Sequence, residues 1–164
     1  MNRGLKIFLL TTASVAVLDQ LSKALITTRL GLGSVVEVIP GLLNIVYFRN
    51  TGSAFGLMQG ASSIKTILMA ALTIGAIIVI AFMARQSRGK LHALALSLIS
   101  GGAAGNLIDR LTSGSVVDFI DIFIGAYHWP AFNIADSAIT TGVAAYIILM
   151  YKKRPPVGTR GGLN

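Results

Sequence analysis

Cysteine is absent from the 164-residue chain, which excludes a disulfide framework, a thiolate nucleophile and a cysteine-bound metal. Acids are scarce as well, with 6 against 14 lysines and arginines and a net charge of +8. Charged residues make up only 12% of the sequence, where a soluble domain carries roughly 25%. A water-soluble globule and a disordered chain are therefore both poor descriptions. Hydrophobic residues reach 54% and the mean hydropathy is +0.74, more apolar surface than one core of this length can hide, so the excess must face lipid. The pI of about 10.3 suggests a polyanion, but the basic residues are dispersed between apolar stretches and aromatics are only 7%. An anionic lipid surface accounts for them, and no nucleic-acid partner is expected.

Four stretches are apolar enough to span a bilayer, at about residues 5–26, 66–84, 91–108 and 134–151. The second is uncharged throughout, and at 1.5 Å per residue it covers roughly 28 Å, close to the hydrocarbon thickness. Arg3 and Lys6 resemble the start of a signal peptide, but no A-x-A-like cleavage site follows, so the first stretch is read as a retained helix. Around a Pro40-Gly41 turn, Val35 to Phe48 reads as two short strands. The expected fold is a membrane all-α four-helix transmembrane bundle with a small extracytoplasmic β-sheet, one integral domain over 1–164 with a mobile basic tail at 155–164.

Nine of the 14 basic residues (Arg3, Lys6, Arg85, Arg88, Lys90, Lys152, Lys153, Arg154 and Arg160) fall at the termini and in the short second connection, without an acid among them. The positive-inside rule then places both termini and that connection in the cytoplasm, and both longer connections outside. All six acids lie in the outer loops or the outer halves of helices on this reading.

Polar side chains at membrane depth are costly and call for partners. Asp19 and Lys23 share a helix face at i, i+4, without Gln20 or Ser22, and a structural ion pair is the leading reading. Asn106, Asp109 and Arg110 stand at i, i+3 and i+4, able to satisfy helix-end groups and one another. Gly101 and Gly105 form a GxxxG pair suited to close helix packing. Asp118 lies in an apolar Val-Val-Asp-Phe-Ile segment. Asp136 opens the fourth helix behind Asn133, a natural N-cap, and a cap partner is one reading of it. The antiparallel chain path returns both acids to the same rim of the bundle. Two carboxylates held close in a partly dry site share one proton, so one can activate water while the other polarises a carbonyl, which is aspartic proteolysis without a metal. A metal held by His128, Asp118, Asp121 and Asp136 and a serine triad on Ser137 are thinner alternatives. A small four-helix transporter using its carboxylates as cation sites is the rival from another class.

Five segments taken in order carry a family resemblance: Asp19-Gln-Leu-Ser-Lys23, Arg49-Asn-Thr-Gly-Ser-Ala-Phe55, Gly101-Gly-Ala-Ala-Gly-Asn-Leu-Ile-Asp-Arg110, Val116-Val-Asp-Phe119 and Phe132-Asn-Ile-Ala-Asp-Ser137. Together they resemble bacterial lipoprotein signal peptidase, signal peptidase II, from about residue 5 to 151. The resemblance implies an aspartic endopeptidase of the bacterial cytoplasmic membrane that cuts diacylglyceryl-modified prolipoproteins just before the lipidated cysteine. It implies Asp118 and Asp136 as the catalytic pair. Asn50, Asn106, Arg110, Asn133, Asp19, Lys23 and Asp109 are implied as supporting or substrate-binding residues. No cofactor and no metal are implied, the bilayer and the prolipoprotein are the partners, and a monomer is expected. The pattern gives Asp121 no role.

Overall fold

The computed structural model describes residues 3–52, 62–87 and 89–152. Helices α1 (Arg3–Arg29), α2 (Ser62–Gln86), α3 (Lys90–Ser113) and α4 (Ile134–Lys152) are each long and apolar enough to cross a membrane. Half of the most apolar window of α3 is buried against 11–17% for the other three, so α3 is the central post and the others turn most of their surface to lipid. Close approach is possible because α3 is rich in small residues. Gly101 lies against Val15 and the Thr12 carbonyl of α1, Gly105 against Asp19, and Gly102 against the Ala135 carbonyl of α4. Gly142 of α4 returns the contact against Ala95 and Ile99.

Helix α3 runs past residue 108 to Ser113 because its polar last turns are satisfied. Thr112 and Ser113 hydroxyls bond the Ile108 and Asp109 carbonyls, and Arg110 bonds the Asn106 carbonyl. Gly114 stops it with φ 69°, a left-handed cap that donates to the Arg110 carbonyl at 3.1 Å.

The sheet lies at the end of the bundle where α1 and α3 finish and α4 begins. It is an antiparallel meander of β1 (Val35–Ile39), β2 (Leu43–Asn50), β3 (Val116–Ile124) and β4 (Tyr127–His128), in that order. The third strand was not expected, since 109–133 reads in sequence as a connection. Next to Asp118, β2 carries a bulge: Ile45 pairs with Ile120 and Phe48 with Asp118, so Val46 and Tyr47 of β2 stand across from Phe119 of β3. The backbone of Phe132 extends the sheet, exchanging hydrogen bonds with Ile120 at 2.8 and 3.0 Å, and this brings the start of α4 alongside β3.

Candidate active site

Three elements converge beneath the sheet. Strand β3 supplies Asp118, 4% exposed, and the first turn of α4 supplies Asp136, half-buried. Between them stand two amides. Asn133 Nδ2 donates to Asp118 Oδ1 at 2.8 Å, Asn106 Nδ2 donates to Asp136 Oδ1 at 2.8 Å, and Asn133 Nδ2 reaches Asn106 Oδ1 at 3.3 Å. On the other side of Asp118, Asn50 Nδ2 donates to Oδ2 at 3.0 Å.

Each of these amides has its orientation fixed by a group that can only donate. Asn50 Oδ1 accepts the Gly52 N–H at 2.8 Å, Asn133 Oδ1 accepts the Asp136 N–H at 2.9 Å as the N-cap of α4, and Asn106 Oδ1 accepts Lys23 Nζ at 2.9 Å. All three NH2 groups are thereby turned toward the carboxylates.

Behind the amides lies a charged cluster that is almost dry. Lys23 Nζ contacts Asp19 Oδ2 at 2.8 Å, Asp109 Oδ2 at 2.9 Å and Asn106 Oδ1, so its three protons are all used. Asp19 is 0%, Lys23 3% and Asp109 6% exposed, and removal of Lys23 would leave two uncompensated buried carboxylates, a loss of about 3–5 kcal/mol. The backbone completes the cluster: Asp19 Oδ1 accepts the Ala135 N–H and Asp109 Oδ2 the Val117 N–H. Gln20, which the helix spacing set apart, joins it through Nε2 bonds to Asp109 Oδ1 at 2.9 Å and the Gly105 carbonyl at 3.1 Å. Its side chain is long enough to bend round to the face that its Cα does not share.

Arg110 stands apart from this network. Its guanidinium bonds the Asn106 carbonyl at 3.3 Å, and it lines a cavity of about 610 Å³ with Thr51, Leu111 and Ser115. A second cavity, about 460 Å³, shares Thr51 and is walled by Asp118, Asn50, Arg49, Phe48 and Pro130. Of the two aspartates, Asp118 is the one that lines it. In the motif at 49–55, residues from 53 onward lie outside the described residues.

Asp121 is engaged elsewhere. It accepts Asn44 Nδ2 at 2.8 Å and meets His128 Nδ1 at 2.9 Å, with the imidazole stacked on Phe123 at 5.0 Å. Burial raises its pKa, but the hydrogen bonds from Asn44 and His128 and the charge of His128 outweigh that and hold it below the usual value. Asp118 moves the other way. Burial raises it most, the Asn50 hydrogen bond opposes, and the nearby Asp136 charge adds to the rise, leaving the carboxyl above its usual range. Among the described residues, no three His, Asp or Glu side chains are grouped to hold a metal ion.

A family model described as signal peptidase (SPase) II matches residues 11–152. The chain belongs to the signal peptidase II family. It is 40% identical over 157 residues to the lipoprotein signal peptidase of Syntrophus aciditrophicus, covering 94% of this chain and 98% of that one. Against the lipoprotein signal peptidase of Geobacter metallireducens, identity is 40% over 153 residues, with 93% and 94% covered. A bacterial membrane enzyme solved by the in meso method at 1.9 Å superposes with a TM-score of 0.81 at 38% identity, covering 90% of this chain and 94% of that one. A second such enzyme, solved at 2.3 Å, gives 0.80 at 35% identity over 95% and 94%. As a signal peptidase II family member the chain is a multi-pass membrane aspartic endopeptidase, and the transporter reading falls away.

Proposed function

We propose that Asp118 and Asp136 are the catalytic dyad, and that the enzyme removes signal peptides from diacylglyceryl-modified prolipoproteins, cutting just before the lipidated cysteine. The observation that carries this reading is the pair of linked amides, Asn106 and Asn133, each turned to a different carboxylate and bonded to each other. They hold two acids from separate elements at one locus where one is raised by burial and by the charge of the other. In an aspartic dyad one carboxyl carries the proton while its partner stays ionised. The unprotonated carboxylate takes a proton from water as its oxygen attacks the scissile carbonyl. The protonated one gives its proton to the carbonyl oxygen. Collapse of the tetrahedral adduct re-forms the carbonyl, returns a hydroxyl proton to the second carboxylate and breaks the C–N bond, and the proton taken from water passes to the leaving amine.

The lipid anchor supplies part of the specificity. A diacylglyceryl cysteine is held by its acyl chains in the leaflet, so its peptide bond is presented near the interface, where the sheet end of the bundle lies in this reading. Arg110, Asn50 and the cavity walled by Phe48 and Pro130 are then the groups placed to receive the peptide. Purified enzyme in lipid, offered the diacylglyceryl-modified precursor and the unmodified one in the presence of a chelator, should cut the first and largely spare the second. Equal cutting of both would remove the lipid from recognition, and loss of activity in chelator would replace the dyad by a metal mechanism.

A further inference from the structure

Two buried acids grip the backbone one residue ahead of each proposed catalytic aspartate. Asp109 Oδ2 accepts the Val117 N–H at 3.1 Å, just before Asp118, and Asp19 Oδ1 accepts the Ala135 N–H at 3.0 Å, just before Asp136. Lys23 joins the two grips, bonding Asp19 Oδ2 at 2.8 Å and Asp109 Oδ2 at 2.9 Å. Its third proton goes to Asn106, the amide that faces Asp136. We infer that Asp19, Lys23 and Asp109 form a spacer that sets the separation of the Asp118 and Asp136 carboxylates, and are positioning residues for the cleavage rather than only a tie between helices. The inference rests on the dyad reading above.

A tie between α1 and α3 would need nothing beyond the Lys23–Asp109 pair. The bonds to Val117 and Ala135 add nothing to that tie. They do restrain β3 and α4, which belong to separate parts of the chain and whose relative position decides how far apart the two acids stand. An ammonium with all three protons engaged holds its acceptors at tetrahedral angles, so the distance between the two grips is fixed rather than elastic. Gly105 closes the arrangement from the side, packed against the Asp19 carboxylate.

Carboxylate separation has a kinetic signature. In a coupled pair, the gap between the two apparent pKa values shrinks as the charges move apart, and that gap is the width of the bell-shaped pH–rate profile. Among the described residues, the other ionisable groups round the pair are Lys23 and Asp19 on α1, Asp109 and Arg110 on α3, and Arg49 on β2, which lines the same cavity as Asp118.

Two substitutions at Asp109 separate the roles. Asp109→Asn removes the charge but keeps one oxygen in reach of both Val117 and Lys23, while its NH2 takes the place of the oxygen that met Gln20, whose amide must flip to accept it. Asp109→Glu keeps the charge and the ion pair but moves the carboxylate by a methylene, dragging or releasing Val117. Full-length enzyme in lipid is assayed on the lipid-modified precursor for kcat, KM and the pH profile. The spacer predicts that Asp109→Glu loses kcat by on the order of 10²-fold, as a misplacement of about 1 Å does, with KM little changed and a narrower bell. Asp109→Asn should retain the larger share of kcat and the wild-type width. The opposite ranking, with Asp109→Glu at wild-type kcat and width and Asp109→Asn impaired, would overturn the spacer in favour of a plain ion pair. If Asp109→Glu does not accumulate in the membrane, Lys23→Arg is read in the same way, since a planar guanidinium keeps the charge but cannot serve three acceptors arranged as a tripod. Wild-type width and kcat in that variant would also overturn the spacer. A wild-type profile without two limbs would remove the dyad and the spacer together, whereas two wild-type limbs unaltered in the variants strike the spacer alone.

Discussion

Asp118 and Asp121 lie three residues apart on β3, and an odd spacing on a strand turns side chains to opposite faces. Asp118 meets Asn50 and Asn133 on the bundle side, while Asp121 meets Asn44 and His128. Their carboxyls are displaced in opposite senses, Asp118 upward by burial and Asp121 downward by its hydrogen bonds. An acid held low is a poor proton donor near neutral pH, and an acid held high is a good one. Asn nearly preserves the size of Asp while removing the ionisable group. If the proposed dyad operates, Asp118→Asn and Asp136→Asn should each reduce kcat by roughly 10⁴-fold or more, and the double variant should be little worse than either, as for residues that act as a unit. Asp121→Asn should keep most of the activity, since its amide still accepts from one neighbour. Cleavage assays on variants normalised to their level in the membrane decide the matter. Substantial turnover by Asp118→Asn or Asp136→Asn would refute the dyad, and a loss confined to Asp121→Asn would move the catalytic role to that residue.

Strand β3 shows where sequence reading reaches its limit. The spanning helices are plain in the apolar runs, β1 and β2 in their β-branched residues about Pro40-Gly41, and the α4 cap in Asn133. Alternation, by contrast, is missing from Val116 to Phe119, where four consecutive residues are buried and both faces of the strand are therefore covered. The five family motifs mark the residues of the carboxylate network, but the amide orientations and the participation of Gln20 arise only when three elements meet. The GxxxG signal in α3 found half of the packing: Gly101 and Gly105 face α1, while Gly102, outside the motif, faces α4. A Cβ at Gly105 would overlap the Asp19 carboxylate, whose neighbours Lys23, Ala135 and Gln20 leave it no room to move. Gly105→Ala should therefore destabilise the purified protein by about 1–3 kcal/mol, as overpacking does. Gly75→Ala is the control, since a Cβ there meets nothing within 4 Å and helix propensity favours alanine by about 1 kcal/mol. Thermal unfolding in detergent should rank Gly75→Ala at or above wild type and Gly105→Ala below; equal stability of the two would show that Asp19 yields.

Charge is distributed along the chain in a way that the packing of the bundle does not require. The clusters about Lys90 and the two termini are basic without an acid, and the helix ends they flank are those away from the sheet. Every acid of the chain is found toward the sheet end, in the outer parts of α1, α3 and α4 or in the strands and their connections. Lysine and arginine resist translocation, so this asymmetry predicts insertion of the four spans with the termini and the Gln86–Lys90 connection in the cytoplasm. On that prediction the sheet, the two cavities beside it and the paired aspartates would stand at the opposite surface, the one that the proposed lipid-anchored precursor reaches once its polypeptide has crossed. The reverse orientation would set the site on the side where the precursor is made and would expose nine basic residues to translocation. A reporter fused after Lys153 should accordingly read cytoplasmic, and one inserted near Gly60, in the connection between β2 and α2, should read extracytoplasmic. Alkaline phosphatase and a fluorescent protein serve as the paired reporters, because one is active only outside and the other only inside. The inverted pattern at both positions would put the dyad on the cytoplasmic face and exclude a translocated substrate, whatever the aspartates do in a detergent assay.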